Sequence, residues 1–217
     1  MKRILEPEIM DDEAQAIAYA QADFSASNQM FVERLLEEYS TTLKNVLDIG
    51  CGPGDIPIRL ARAKPSIAIT AVDASEPMVR LARRAVCDAG LQKQIRVLKG
   101  RVPGLRLGAG DFDALVSKDL LHHLPDPAVF WEEVRRLAKK QTVVFVMDLL
   151  RPPTERQARN IVESVAGRES AILKRDFYDS LRAAFTLDEI RQQLREASLD
   201  LDAAQISQRH LLIKGVI

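Results

Sequence analysis

The 217-residue sequence has little cysteine and no long hydrophobic run. Its two cysteines, Cys51 and Cys87, are too few for a disulfide scaffold and lack the spacing of metal ligands. We therefore expect reduced thiols, no metal centre and a cytoplasmic protein. No stretch reaches the roughly 18 apolar residues that cross a bilayer. The acidic residues that soon follow Met1 also argue against a secretory signal.

An excess of either charge is missing as well. The 31 Lys and Arg residues equal the 31 Asp and Glu residues in number, so the formal net charge is zero. A neutral chain is poorly suited to gripping nucleic acid through its phosphates, although a local basic patch can coexist with a neutral total. With 47% hydrophobic and 29% charged residues, the composition is that of a globular protein. The length favours a single domain over residues 1–217.

Strand-like and helix-like segments alternate along the chain. Short apolar runs that end at turn residues predict strands at 45–49, 67–72, 95–98, 112–117 and 142–147, with helical patterns between them. This alternation predicts parallel strands with helices on both sides, which is a three-layer, Rossmann-like, doubly wound α/β sheet. Two further strand-like stretches, 201–207 and 210–216, are joined too tightly for a helical crossover, so we expect them to be antiparallel.

A glycine-rich loop follows the first predicted strand. Gly50-Cys51-Gly52-Pro53-Gly54 leads into a helix, and Asp73 ends the second predicted strand. A carboxylate in that position can accept hydrogen bonds from two ribose hydroxyls, so the pair predicts a nucleoside-bearing cofactor. The glycine spacing differs from that of dinucleotide-binding loops. Asp48, just before the loop, suits a ligand with an ammonium group better than a pyrophosphate.

Three segments carry a resemblance to a known family. Leu47 to Gly54, Val72 to Met78 and Ser117 to Leu124 are similar to motifs of the class I S-adenosylmethionine-dependent methyltransferases. The third segment is similar to the small-molecule branch that includes the ubiquinone and menaquinone C-methyltransferases. The resemblance implies a mostly parallel sheet of seven strands with strand 7 antiparallel. It also implies S-adenosylmethionine as the methyl donor and S-adenosylhomocysteine as the product.

The resemblance implies roles for individual residues. Asp48 would hold the methionine ammonium, Asp73 would bind the ribose hydroxyls, and Ser117 would lie near the sulfonium. The other cofactor contacts would come from Gly50, Cys51, Gly52, Gly54, Ala74, Met78, Arg101 and Val102. Many relatives carry an acidic residue where this chain has Arg101. The backbone of Arg101 could still bind the adenine edge. Its guanidinium could stack on the adenine ring or point to solvent.

A second group of residues is predicted to serve the methyl acceptor. Methyl transfer from a sulfonium is an in-line displacement, so the protein mainly aligns the acceptor and excludes water. His122 is our candidate for a general base or an acceptor-binding group, with a structural histidine as the alternative. Asp148 and Arg151 are candidates for binding the acceptor, although Asp148 could instead cap the next helix. The predicted acceptor site also includes Tyr19, Phe24 and Tyr178.

The expected organisation is a single methyltransferase domain with four parts. These are an N-terminal helical lid (1–44), a cofactor-binding core (45–148), a helical substrate-side insertion (149–185), and a last helix with a strand pair (186–217). The neutral charge and the missing Asn-Pro-Pro-Tyr or Asp-Pro-Pro-Tyr motif favour a small-molecule acceptor, with neither membrane nor nucleic acid as a partner. The alternatives are a nicotinamide-dinucleotide oxidoreductase, and a non-catalytic or RNA- or protein-directed member of the same fold.

Overall fold

A seven-stranded sheet forms the centre of the computed structural model, which describes residues 1–6 and 11–217. Its strands are β1 (Asn45–Ile49), β2 (Ala68–Asp73), β3 (Ile95–Lys99), β4 (Ala114–Lys118), β5 (Val143–Leu149), β6 (Asp202–Gln205) and β7 (His210–Val216). Their spatial order is β3-β2-β1-β4-β5-β7-β6. The first five strands pair in parallel, and β7 is antiparallel to β5 and β6. The predicted sheet, with its antiparallel strand 7, is confirmed.

Helices cover both faces of the sheet. They are α1 (Glu13–Gln21), α2 (Ser25–Tyr39), α3 (Asp55–Ala63), α4 (Glu76–Asp88), α5 (Ala128–Leu137), α6 (Glu155–Ala166), α7 (Ala171–Ala183) and α8 (Leu187–Glu196). Apolar side chains of α2, α3 and α4 fill one buried layer, and those of α5 and α8 fill the other. Within the described ranges, no helix is both long and apolar enough to cross a membrane.

The strands contribute to both layers because successive side chains point to opposite faces of the sheet. Val46 belongs to the layer of α2, and its neighbour Leu47 belongs to the layer of α5. β5 is buried at every position, as expected for a strand with helices on both sides. It continues to Leu149, beyond the predicted end at 147, because its ladder with β7 extends to the pair of Leu149 and His210.

The two N-terminal helices have separate roles. Phe31 of α2 packs edge-on against Phe145 of β5, with 5.2 Å between the ring centroids, and both rings are fully buried. α2 therefore belongs to the core layer, and the prediction that residues 1–44 form a lid is wrong for this helix. α1 instead contacts α4 and α7 at the carboxyl ends of the strands, as a lid would.

The order of the strands determines where a ligand can bind. From β1 the chain moves outward through β2 to β3, and it then returns to place β4 on the other side of β1. In open α/β sheets such a reversal leaves a crevice beyond the carboxyl ends of the strands. The loops that follow β1, β2, β3 and β4 all end at this crevice.

Truncating Phe145 should destabilise the fold strongly. Phe145→Ala removes a fully buried ring from β5 and from its contact with Phe31, so we expect the free energy of unfolding to fall by roughly 3–5 kcal/mol. Ile172→Ala is the control, since Ile172 is 60% exposed, and such surface changes cost about 0.5 kcal/mol or less. Urea unfolding of both variants measures the difference, and equal losses would contradict this account of the core.

Candidate active site

Three cavities meet at the crevice beyond β1 and β4. The strand-tip cavity, of about 110 Å³, lies over the ends of β1 to β4. The glycine-loop cavity, of about 230 Å³, lies between the glycine loop and the start of α2. The large cavity, of about 370 Å³, lies between α1, the turn after β4 and the α6–α7 pair. Tyr19 and Asp119 line all three cavities, so these two residues mark the point where the cavities join.

The glycine loop allows close approach of the backbone to a ligand. Gly50 and Gly52 have φ values of +79° and +51°, which lie in the left-handed region that side chains other than glycine rarely adopt. A Cβ atom on Gly50 would lie 3.0 Å from the side chain of Leu120, which follows β4. The amide groups of Gly50 and Cys51 both donate to the carbonyl oxygen of Val72, which ties the loop to the end of β2.

Asp73 is held at the end of β2 by backbone amides. Its carboxylate accepts hydrogen bonds from the amides of Gly52, at 2.8 Å, and Ser75, at 2.9 Å. Burial raises the pKa of Asp73, and these amides oppose the increase. Asp73 lines the strand-tip cavity together with Ala74 and Met78. The arrangement fixes a carboxylate beside the glycine loop, where it can accept hydrogen bonds from a ligand.

Asp48 is a buried carboxylate with incomplete hydrogen bonding. It is 2% exposed and lines the glycine-loop cavity. Its Oδ2 has no hydrogen-bond partner among the described residues. Burial, followed by the nearby charge of Asp73, raises the pKa of Asp48 to about 7. A cationic group in this cavity would compensate the buried charge, so the site fits a ligand that carries an ammonium group.

Most of the predicted cofactor residues line these cavities. Arg101 and Val102 border the strand-tip cavity, with Arg101 exposed at its rim, and Cys51 borders the glycine-loop cavity. Two predicted residues lie elsewhere. Gly54, with a φ of +91°, approaches Ala82 of α4 and serves helix packing. Ser117 is buried and donates to the carbonyl oxygen of Ile49 at 2.7 Å, which joins β4 to β1.

Two aromatic side chains cover the cavities, Tyr19 from α1 and Phe24 from the position before α2. The rings of Tyr19 and Phe24 are tilted against each other, with 4.7 Å between their centroids. Phe24 lines the glycine-loop and large cavities. Burial raises the pKa of the Tyr19 hydroxyl, and the nearby Asp119 raises it further. Both residues therefore line the large cavity, and their role toward an acceptor stays a prediction.

Three polar side chains cluster on the wall of the large cavity, with Asp148 behind them. His122 and His123 form a short 3₁₀ turn after β4, and Glu6 from the N-terminal segment lies against both of them. His122 Nδ1 lies 2.6 Å from Asp148 Oδ1, and both side chains are 2% exposed. Burial would lower the pKa of His122, but Asp148 and Glu6 raise it. Burial raises the pKa of Glu6, against the charge of His122.

Arg3 holds the N-terminal segment in this position. Its guanidinium donates to the carbonyl oxygens of His122, Leu124 and Ala183 at 2.6–3.0 Å, and it lies 3.8 Å from the centroid of the Phe185 ring. The segment thereby brings Glu6 to the turn after β4.

The structure gives Asp148 a different role from the two that the sequence left open. The carboxylate accepts hydrogen bonds from the amides of Leu121 and Leu149 at 2.6 and 2.7 Å, in addition to its contact with His122. The cap of α6 is Thr154, whose hydroxyl accepts from Gln157. The capping prediction is therefore wrong, and Asp148 supports the turn after β4 from behind.

Arg151 and Tyr178 also lie away from the large cavity. Arg151 is buried, where it donates to the carbonyl oxygen of Ala184 and pairs with Glu189 at 2.6 Å. Tyr178 lies on the side of α7 that faces the guanidinium groups of Arg159 and Arg182, at 5.6 and 5.5 Å from the ring centroid. Its neighbour Phe177 lines the cavity instead, since successive helical residues point in different directions.

Three residues of the site were not among the predicted site residues. Asp119 has a φ of +55° and pairs with Lys118; although burial opposes ionisation, this pairing lowers the pKa of Asp119 to about 2. His123 lines both the strand-tip and large cavities. The position of Asp119 and His123 after a strand was a usable signal. Glu6 had no local signal, because its partners lie far along the chain.

The sequence was compared with known families and proteins. Residues 46–141 match a family described as a methyltransferase domain. The ubiquinone biosynthesis O-methyltransferase of Caulobacter vibrioides is 34% identical over 106 residues, which cover 49% of this chain and 41% of that protein. The 27-O-demethylrifamycin SV methyltransferase of Amycolatopsis mediterranei is 29% identical over 163 residues, or 74% of this chain and 55% of that protein. The chain spans about half the length of these relatives.

The fold was compared with solved structures. A SAM-dependent methyltransferase from Aquifex aeolicus matches with a TM-score of 0.70 and 20% sequence identity, over 94% of this chain and 98% of that chain. At this level of identity the likeness shows the fold, and it agrees with the order of the strands.

Replacing Asp48 should raise the stability of the ligand-free protein and weaken cofactor binding. The folded pKa of about 7 lies above the ordinary value, so ionisation destabilises the folded state increasingly as pH rises from about 4 through 7. Asp48→Asn removes this loss, and the ligand-free protein should melt at a higher temperature at pH 8 than the unmodified chain. Binding of S-adenosylhomocysteine should weaken by roughly 1.5–3 kcal/mol, since the ammonium loses its charged partner.

Thermal unfolding at pH 5 and 8, with calorimetric titration, measures both effects. Asp88→Asn is the control because the Asp88 side chain is 72% exposed. If the melting temperatures of Asp48→Asn and of the unmodified chain changed identically with pH, that result would contradict the assignment of a buried carboxylate that destabilises the fold when it is ionised.

Proposed function

We propose that the chain is a class I S-adenosylmethionine-dependent methyltransferase that transfers a methyl group from S-adenosylmethionine to a small-molecule acceptor held in the large cavity. Its residues 46–141 match a family described as a methyltransferase domain, and it is similar to relatives named as methyltransferases. The supporting observation is the junction of the three cavities at Tyr19 and Asp119. A cofactor spread over the strand-tip and glycine-loop cavities would present its centre at this junction, directly beside the large cavity.

The residues around the glycine loop fit the cofactor. Asp73 would accept hydrogen bonds from the ribose hydroxyls, and Asp48 would compensate the methionine ammonium from its buried position. The glycine loop would let the backbone approach the ligand, and Met78 and Val102 would contact the adenine. When bound, S-adenosylmethionine supplies a methyl group on a positively charged sulfur. The protein's own contribution is then to orient the acceptor toward that methyl group and to keep water out.

The large cavity suits a small organic acceptor. Its volume of about 370 Å³ lies within the range for small-molecule pockets, roughly 300–1,000 Å³. Its walls combine apolar side chains, among them Phe24, Leu173 and Phe177, with the polar cluster at the turn after β4. The names of the two relatives also support an acceptor of this class. The polar cluster would hold the reacting group of the acceptor, and the apolar walls would hold the rest.

The role of His122 as a general base stays a prediction. Its Nδ1 is bound to Asp148, so its Nε2, near Glu6, is the nitrogen that remains for other partners. His123 is the histidine that lines the cavity junction. We also propose a cytoplasmic location, where Cys51 and Cys87, which form no disulfide in this chain, would stay reduced.

Asp73→Ala should weaken cofactor binding without unfolding the protein. The carboxylate is a charged hydrogen-bond acceptor, so its loss should raise the Kd for S-adenosylhomocysteine by roughly 10- to 150-fold, which corresponds to 1.5–3 kcal/mol. Calorimetric titration measures the change, and thermal unfolding checks that the loop remains folded. Unchanged affinity in Asp73→Ala would remove the ribose assignment. Stabilisation by NADH in place of S-adenosylhomocysteine would favour an oxidoreductase instead.

The acceptor class can be tested by following a labelled methyl group. The protein and S-adenosylmethionine labelled at the methyl group are incubated with a small-metabolite extract, with total RNA and with denatured protein in parallel. We expect label in the small-metabolite fraction, and much less with Asp73→Ala. Label found only in RNA or protein would contradict the proposed acceptor class.

A further inference from the structure

Glu6, His122 and His123 bring three potential metal-ligating atoms together. Each residue offers one ligand atom, and all these atoms lie within 4.8 Å of one another. His122 Nε2 lies 3.4 Å from Glu6 Oε1, and His123 Nδ1 lies 3.1 Å from the same oxygen. Two imidazole nitrogens from one turn therefore converge on one carboxylate oxygen from a distant part of the chain.

The contacts of Glu6 point to a ligand at this position. The side chain of Glu6 is 9% exposed, and its Oε1 accepts no hydrogen bond from the described residues in spite of the two nearby nitrogens. Its Oε2 accepts from the Ser180 hydroxyl at 3.0 Å, which fixes the carboxylate. The buried oxygen thus lies close to two nitrogens without the geometry of a hydrogen bond.

The spacing of the three atoms fits a shared cation. Two ligand atoms that each bind a Zn²⁺ ion at about 2.0–2.2 Å lie roughly 3 to 3.5 Å from each other. The shorter separation corresponds to octahedral coordination and the longer one to tetrahedral coordination. The two separations of 3.1 and 3.4 Å fall in this range. The atoms would need little movement to bind a metal ion.

The surroundings of His122 match those of a metal-binding histidine. Such histidines usually donate their second ring nitrogen to a carboxylate, which fixes the ring and directs the other nitrogen toward the metal. Asp148 takes this position at 2.6 Å from His122 Nδ1. Asp148 is held in turn by the amides of Leu121 and Leu149. The ring orientation is therefore determined before any ion binds.

We propose that Glu6, His122 and His123 form a binding site for a divalent transition metal ion of the Zn²⁺ type. Two imidazoles with one carboxylate suit Zn²⁺, Co²⁺ or Fe²⁺, whereas Mg²⁺ and Ca²⁺ prefer oxygen ligands throughout. All three residues line the large cavity, so the open coordination position faces that space. If the proposed function holds, this position receives an oxygen or nitrogen atom of the methyl acceptor and orients it toward the cofactor.

Co²⁺ is the probe for this site because its visible absorption reports its ligands. Titration of the full chain, free of any affinity tag, should give one Co²⁺ per chain with visible absorption bands, and Zn²⁺ should displace it. Glu6→Gln and His123→Asn should each abolish the bands. Asp148→Asn should weaken binding by roughly 10- to 100-fold, as expected when the partner of a metal-binding histidine is lost.

Two variants serve as matched controls. Glu169→Gln changes a carboxylate on the wall of the same cavity, and His210→Asn changes the third histidine of the chain. Both should retain one bound Co²⁺, and thermal unfolding of every variant checks that it is folded. The site is overturned if the unmodified chain shows no stoichiometric Co²⁺ binding, or if the bands persist in folded Glu6→Gln and His123→Asn.

The metal site and the proposed function can fail separately. S-adenosylhomocysteine binding is measured by calorimetry on the same samples, with and without Zn²⁺. Cofactor binding without metal binding would leave the methyltransferase proposal standing and remove the metal site. Metal binding without cofactor binding would leave the metal site standing and remove the methyltransferase proposal.

Discussion

The reversal of strand order between β1 and β4 is the constraint on which the site depends. Parallel strands present their carboxyl ends at one edge of the sheet, and crossovers that leave in opposite directions open a crevice at that edge. The loops after β1 and β4 then approach each other so closely that a Cβ atom on Gly50 would lie 3.0 Å from the side chain of Leu120. The strand-tip and large cavities share the lining residues Tyr19 and Asp119 beside these loops.

Buried charge without full compensation is the second feature of the site. Asp48 Oδ2 and Glu6 Oε1 are buried oxygens that accept no hydrogen bond from the described residues. A buried polar atom left without a partner typically costs about 1–3 kcal/mol, so both groups weaken the ligand-free fold. The apolar layers on either side of the sheet offset this cost. Binding sites commonly lower the stability of the ligand-free fold in this way, because the ligand supplies the missing partners of the buried polar groups.

The glycine-loop side of the site followed from local signals. The glycine loop and Asp73 could be predicted because strand ends, positive φ and the start of a helix are each determined by a few neighbouring residues. The same reasoning was less successful after β5. Asp148 and Arg151 lie at the expected end of that strand, but His122 and Glu189, which lie far away in the chain, engage them within the protein. Position after a strand indicates where a residue lies, and its partners decide what it does.

The sequence by itself determined the parallel sheet, the antiparallel last strand and the glycine loop after β1, because hydrophobic periodicity and glycine spacing act over short stretches of chain. Only the tertiary structure decided which polar groups meet at the large cavity. Glu6 reaches His122 and His123 because Arg3 fixes the N-terminal segment on the carbonyl groups of the turn after β4. Such contacts depend on how distant segments pack and which way their side chains point, and no local pattern in the sequence records that.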